Sequence, residues 1–449
     1  MTIAPARPSA TRPAENPTPV TRNEAARQEP AHAAPLSPRM LPLDADPSLG
    51  AHLRRLGPCP VLGRTRLEAE LEAAGIDGRG GAGFPLARKT QAMPRRGGIV
   101  VVNACEGDPL THKDAVLLSR SPHLVIDGAL VLGQALSARR IVIALHRGAA
   151  TVALDAALAE RDDARRVEIL EVDARYVSSQ SSAIRSALHG GPALPMDPAV
   201  RATDRRPGRP PMLVANAETA ALTGLVARIG GQALAAASRG DETGTSLVTV
   251  SGDVARPGVL EVRDTDRIGD VLAAAGAGGP ARTTGAIGLE SDRPMLTGGA
   301  TGTWVRAAEV SPLPWGRASL RSVGAERGTG ALAVMPEGTC MLAETLEILR
   351  FADRASARQC GPCAFGLPSL TADLASLLDG SGGAEALARL RRSSSQISGR
   401  GGCAHPTASV ATLASALAIC SADHLDRHLA GLPCGGSHGT LAALIGDAR

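Results

Sequence analysis

At 449 residues the chain is long enough for two to four domains and a large buried core. Its 44% apolar content fits a globular protein, and a dispersed net charge of +4, with no aromatic-and-basic platform, excludes a nucleic-acid partner. Neither a signal pattern nor a run of about eighteen uncharged apolar residues occurs, so the expectation is a cytoplasmic chain with no membrane span of its own.

In chain order, residues 1–46 are rich in Pro, Ala, Arg and Glu and read as a disordered tail. The segment 47–240 reads as a repeating strand–helix unit, an α/β sandwich. Leu67, Leu71 and Ala74 share one face of a helix over 65–74 that Gly75 ends. A glycine-rich stretch follows, Asp77-Gly78-Arg79-Gly80-Gly81-Ala82-Gly83-Phe84-Pro85, with Arg88 and Lys89 just beyond. Four glycines in six residues let backbone N–H groups approach an anion closely, while a flexible loop is the competing reading. Ile99–Val102 reads as a buried parallel strand ending in the polar turn Asn103–Pro109, where open α/β sheets place ligands. A helix over 124–136 and strands over 140–145 and 167–172 continue the pattern, and 190–211 reads as a loop.

From Gly244 the pattern is strand, turn, strand, then a helix at Ile268–Ala275 closing on Gly276. This is a small domain of β-grasp size over 241–310. The remainder, 311–449, reads as a linker and a helical bundle, with Met341, Leu342, Thr345, Leu346 and Leu349 at helical spacing and further helices over 370–378 and 410–419. The bundle carries Cys360-Gly361-Pro362-Cys363 and, forty residues on, Gly401-Gly402-Cys403-Ala404-His405. Three thiolates and one imidazole suit either a structural zinc or an iron–sulfur cluster; inert thiols at a helix start are the competing reading. Cys59, Cys420 and Cys434 read as packing thiols, Cys434 beside Gly435-Gly436 being at most a spare ligand.

These pieces, in this order, resemble the flavoprotein (NADH-oxidising) subunit of respiratory complex I and its relatives in NAD-linked hydrogenases and formate dehydrogenases. The resemblance spans about Leu56 to Leu432. It rests on Gly78–Pro85 with Lys89, Asn103–Pro109 with Lys113-Asp114 and Pro122-His123-Leu124, Asn216-Ala217-Glu218-Thr219, Gly252–Pro257–Gly258, Glu337–Met341, and the cysteines. It implies an FMN-binding α/β sandwich, an SLBB-like β-grasp domain and a C-terminal helical iron–sulfur domain. FMN would be held by Gly78, Arg79, Gly80, Gly81, Ala82, Gly83, Lys89, Asn103, Asn216 and Thr219, with Phe84 as a stacking ring. Glu106 would face the nicotinamide. A hydride from NADH would reach FMN, and electrons would pass singly to a cluster, expected to be 4Fe-4S, held by Cys360, Cys363, Cys403 and His405. The partners implied are ferredoxin-like or other electron-transfer subunits of a larger complex.

Three positions depart from the family pattern. Ala357 stands where the first cluster cysteine is expected, which is why His405 is expected as a ligand, with Cys340 a less favoured candidate. Gln180 and Ser181 stand where the family carries a Glu-Glu pair, and hydrogen-bond without supplying a carboxylate. Cys105 replaces an Asp and reads as a packing thiol. These changes support an alternative reading: a divergent subunit that has lost NADH oxidation and relays electrons from a ferredoxin, or serves only as an interaction subunit.

Overall fold

The computed structural model describes residues 39–44, 46–196, 202–204, 210–236, 244–277, 293–432 and 434–446. The expected tail therefore lies almost wholly outside the described residues.

Four parallel strands form the first sheet: β1 (Ile99–Asn103), β2 (Arg140–His146), β3 (Val167–Val172) and β4 (Met212–Asn216), in the order β3-β2-β1-β4. Val100 and Val102 join one apolar cluster and Ile99 and Val101 the other, so both faces are covered and the strand reads as a continuous apolar run. Because β2 and β4 flank β1 on opposite sides, the carboxyl ends of β1 and β4 border a topological switch point. Asn103 and Asn216, the last residues of these strands, are register partners there.

The helix expected over 65–74 spans Arg64–Ala74, buries Leu67, Leu71 and Ala74, and ends on left-handed Gly75. The helix Pro122–Ala135 packs on Ala217–Ile229 at a contact made close by Gly128, where a Cβ would lie 1.8 Å from the Ala220 carbonyl oxygen.

A second, five-stranded sheet contains β5 (Thr245–Gly252), β6 (Gly258–Arg263), β7 (Pro294–Thr297), β8 (Thr303–Arg306) and β9 (Ala331–Val334), ordered β6-β5-β9-β7-β8. Only β5 and β9 pair in parallel. The central strand β9 comes after the expected end of this unit at 310. Its four residues, two of them alanine, are too short a signal to read without their neighbours. Helices Met341–Arg354, Leu367–Leu378, Gly383–Ile397, His405–Ile419, Ala422–Leu429 and Thr440–Ile445 form the C-terminal region. Trp304 is buried in a cluster shared by the second sheet and these helices, and its backbone N–H donates to Ser415 Oγ at 3.0 Å. Among the described residues no single helix is long and apolar enough to cross a membrane.

Candidate functional site at the strand ends

The glycine stretch folds as a tight loop between the helix Arg64–Ala74 and the helix Leu86–Gln91. Gly81 and Gly83 sit at φ 100° and 56°, which favour glycine. The Gly78 N–H donates to the Phe84 carbonyl, and the Arg79 N–H to Thr219 Oγ1 at 2.9 Å. Thr219 therefore fastens the loop to the helix that begins after Asn216. Arg317, which sequence reasoning missed, reaches the loop from 234 residues away and donates to the carbonyls of Gly83 and Ala82 and to Asp77.

The loop borders a cavity of about 650 Å³ at the carboxyl ends of β1 and β4. That volume is ordinary for a small-molecule or cofactor site, about 300–1,000 Å³. All the expected loop residues line it, together with Phe84, Lys89, Asn103, Glu106 and Asn216. Thr219 does not, since its role is to hold the loop. Lys89 donates to the Val214 carbonyl at 3.3 Å, has no carboxylate partner among the described residues, and burial lowers its pKa. Phe84 is 48% exposed, an aromatic ring left open at the cavity wall.

Other expected contacts are already occupied within the protein. Asn103 donates to the Ser179 carbonyl at 2.7 Å and accepts from the Cys105 N–H. Asn216 accepts from Lys113 and from the Glu218 N–H, capping the helix behind it, and donates to Asp114 at 2.6 Å. The Arg79 guanidinium turns toward the second sheet, 3.2 Å from Asp264 and 3.0 Å from the Thr245 carbonyl. These residues shape the floor of the cavity more than they offer free donors. Glu106 accepts from the N–H groups of Asp114 and Ala115, capping the helix Lys113–Arg120. Burial first, then the nearby Asp114, pushes its carboxyl up to about 7. Cys105 is buried in the apolar cluster under the sheet, and burial pushes its thiol up to about 12, as suits an inert packing residue.

The far wall of the cavity is Tyr176, Ala404 and His405. Tyr176 donates or accepts with Thr301 at 2.8 Å and packs edge-on against Phe351 and at 5.2 Å from the His405 ring. His405 is buried, its Nε2–H donating to the Ala352 carbonyl at 2.8 Å, so that Nδ1 is the nitrogen left without a partner among the described residues. Cys403 lies two residues before it in the chain. Cys360 and Cys363 stand just before the helix Leu367–Leu378, Cys363 on a single π-helical turn, Pro362–Gly366, of the kind frequent at functional sites, and Cys360 just ahead of it. Cys363 is buried, while Cys360 and Cys403 are half-buried. Although burial opposes it, N–H groups of Gly402 and Cys363 hold the Cys360 thiol below its usual range, whereas burial and Cys360 push Cys363 up to about 12. The two glycine turns thus meet, and one N–H already points at a sulfur.

Comparison with known proteins agrees with this order of parts. The Nuo51 FMN-binding domain model matches residues 71–223, the SLBB domain model 247–300, and the NADH-ubiquinone oxidoreductase-F iron-sulfur binding region model 343–426. An NADH-quinone oxidoreductase subunit of Rhodobacter capsulatus is 27% identical over 371 residues, covering 78% of this chain and 84% of that protein. The mitochondrial NADH dehydrogenase [ubiquinone] flavoprotein 1 of Dictyostelium discoideum is 27% identical over 367 residues, covering 76% and 74%. A solved NAD+-reducing [NiFe]-hydrogenase in the H2-reduced state superposes with a TM-score of 0.69 at 25% identity, covering 82% of this chain and 62% of that one. The chain belongs to this family of flavoprotein subunits, as a divergent member.

As a flavoprotein of this type it keeps the loop, the two asparagine strand ends and three cysteines, and changes what surrounds them. Gln180 and Ser181 line the cavity where the family pattern expects acids, and Gln180 is the residue before the helix Ser181–Leu188. Ala357 precedes Arg358, a non-glycine residue at φ 52°, in the turn leading to Cys360. Cys340, weighed as a spare cluster ligand, instead has its sulfur against His424 and His428.

The residues fit both expected groups. A half-buried lysine without a carboxylate partner among the described residues, beside a glycine loop, suits a phosphate. Three thiols on two adjoining glycine turns suit a cluster. Sequence reasoning gave no role of its own to Lys113, whose ammonium bonds Asp114 at 2.8 Å and Glu218 at 3.0 Å, or to Tyr176.

Proposed function

We propose that the chain is a cytoplasmic electron-transfer subunit of NADH dehydrogenase type, taking electrons from NADH through FMN to an iron–sulfur cluster, 4Fe-4S by its donor set. The observation that carries this reading is the single cavity running from the glycine loop and Lys89 to Ala404 and His405, the neighbours of Cys403. FMN supplies two-electron acceptance and one-electron release when bound. Lys89 and the N–H groups of the loop hold the phosphate, and Phe84 lies against the open face where a nicotinamide enters. Glu106, with its carboxyl raised to about 7, is only about half ionised near that pH and so reduces the negative charge set beside Asp114. Tyr176 lines the cavity and packs against Phe351 and against His405, two residues after Cys403.

Cys360, Cys363 and Cys403 hold the cluster, with His405 Nδ1 as the fourth ligand. The partners are ferredoxin-like or other electron-transfer subunits.

A second reading rests on Gln180 and Ser181: with no carboxylates at that wall, electrons come from a ferredoxin rather than NADH. An absorption spectrum of anaerobically reconstituted protein separates the two. Bleaching of the flavin band by NADH supports the first, and bleaching by dithionite alone supports the second. A preparation that binds neither flavin nor iron would overturn both.

A further inference from the structure

Outside this site, one set of side chains converges on a point. Cys340 Sγ, His424 and His428 ring nitrogens and Cys434 Sγ all lie within 4.8 Å of one another. Cys340 Sγ is 3.2 Å from His424 Nε2 and 3.6 Å from His428 Nε2. A tetrahedral zinc with ordinary bond lengths separates sulfur from nitrogen by about 3.6 Å, so the set needs little adjustment to accept one. We propose that Cys340, His424, His428 and Cys434 bind one structural Zn2+, distinct from the iron–sulfur cysteines.

The local sequence explains how the four meet. Cys340 is the cap residue of the helix Met341–Arg354, and its sulfur accepts from the Ala343 N–H at 3.4 Å. His424 and His428 stand four residues apart on the helix Ala422–Leu429, hence on one face. Cys434 lies in the following segment, and its sulfur accepts from the Gly436 N–H at 3.4 Å. That segment runs beside residues 338–340: the Cys340 N–H donates to Ser437 O at 2.8 Å, and Ser437 N–H to Gly338 O at 3.1 Å. A Cβ on Gly436 would come within 2.9 Å of Cys340 N, so glycine there allows the approach.

Two buried and two half-buried ligands, two of them sulfur and two nitrogen, make a closed site of the kind that selects zinc. Backbone N–H groups of Ala343 and Gly436 fix the positions of the two sulfurs. The metal joins three separate stretches and clamps the C-terminal segment onto the helical region. The same segment is held by buried Glu344, which accepts from the N–H groups of Thr440 and Leu441. Metal binding is then part of the folding free energy of this end of the chain.

The test uses the full chain without a histidine tag, purified without chelator, with elemental analysis and zinc-edge X-ray absorption. The expected result is about one zinc per chain with two sulfur and two nitrogen neighbours. Cys434→Ser and His424→Asn lose the zinc and keep iron and acid-labile sulfide, while Cys420→Ser keeps all three. Should either variant misfold, cobalt-substituted wild type still decides, through its thiolate charge-transfer and tetrahedral visible bands. A wild type that takes up no zinc or cobalt, a different ligand set at the zinc edge, a Cys340–Cys434 disulfide by mass spectrometry, or zinc retained in both variants would overturn the proposal.

Discussion

Lys89 is the cation of the cavity wall that no carboxylate among the described residues neutralises, in contrast to Arg79 and Lys113. A half-buried ammonium in that state gains most from an incoming phosphate. Lys89→Ala should weaken FMN binding about 10- to 100-fold, the worth of a charged hydrogen bond of about 1.5–3 kcal/mol. Fluorescence titration of the apoprotein measures it, and an unchanged affinity would place the phosphate elsewhere. Glu106 makes a pH prediction. Its folded value of about 7 lies above the ordinary 4.5, so folding favours the protonated form. Stability from this group is therefore present at low pH and lost as pH rises through about 7. Between those values wild type should lose up to about 1.4 kcal/mol per pH unit relative to Glu106→Gln. Parallel melting curves for the two proteins across that range would show that Glu106 ionises normally. At the cluster, Ala357→Cys offers a thiolate in place of an imidazole. Added negative charge should lower the cluster's reduction potential and alter its EPR g values. An unchanged potential in a redox titration would mean residue 357 does not reach the iron.

Elements rest on a few close approaches, and Gly128 is the tightest of them. A side chain there meets the Ala220 backbone, which cannot rotate away, so the helices Pro122–Ala135 and Ala217–Ile229 would have to separate. Gly128→Val should destabilise the domain by about 3 kcal/mol or more, lowering the urea midpoint. A midpoint unchanged from wild type would deny that contact. The helix Ala217–Ile229 starts at Asn216, so its displacement also disturbs the cavity floor. Elements of this kind were legible in the sequence when periodicity was strong: the helix over 64–74 and the strands β1, β2 and β3 stand within a residue or two of their expected limits. The helix Gly383–Ile397 was not, because its buried residues are few among Arg and Ser. Neither was β9, a central strand of four residues. The glycine loop and the cysteine turns were legible because each is local in sequence. What Arg317, Lys113 and Arg79 touch was not, since spacing along a chain carries no information about contacts made more than a hundred residues away. The same holds for Cys340 and Cys434, whose meeting depends on a turn of the chain almost a hundred residues later.

Across the whole molecule, a buried chain of charges joins the first sheet's domain to the second. Lys113 bonds Glu218, Glu218 accepts the Leu247 N–H of β5, Arg79 lies between Glu218 and Asp264, and Arg327 bonds Asp264 at 2.6 Å. Asp108 adds a second tie, accepting from the Ala300 N–H and Thr329. Gly299 permits that tie, because a Cβ there would lie 2.0 Å from an Asp108 oxygen. The seam forms one wall of the cavity, so cofactor binding and domain docking are linked through it. Asp264 is its centre: despite burial, Arg79 and Arg327 hold its carboxyl below the ordinary range. A carboxylate depressed in the fold stabilises above its unfolded value and loses that stabilisation as pH falls through the folded one. At neutral pH the ion pair is therefore fully in place. Asp264→Asn would leave the buried Arg79 guanidinium and the half-buried Arg327 with only the more distant Glu218 and Asp77 as counter-charges, a loss of about 3 kcal/mol. Because the loss falls on the seam, calorimetry should split one cooperative transition into two, and FMN should dissociate with the first. A single transition merely shifted to lower temperature, with FMN retained up to it, would show that the two domains are coupled by apolar packing and not by this network.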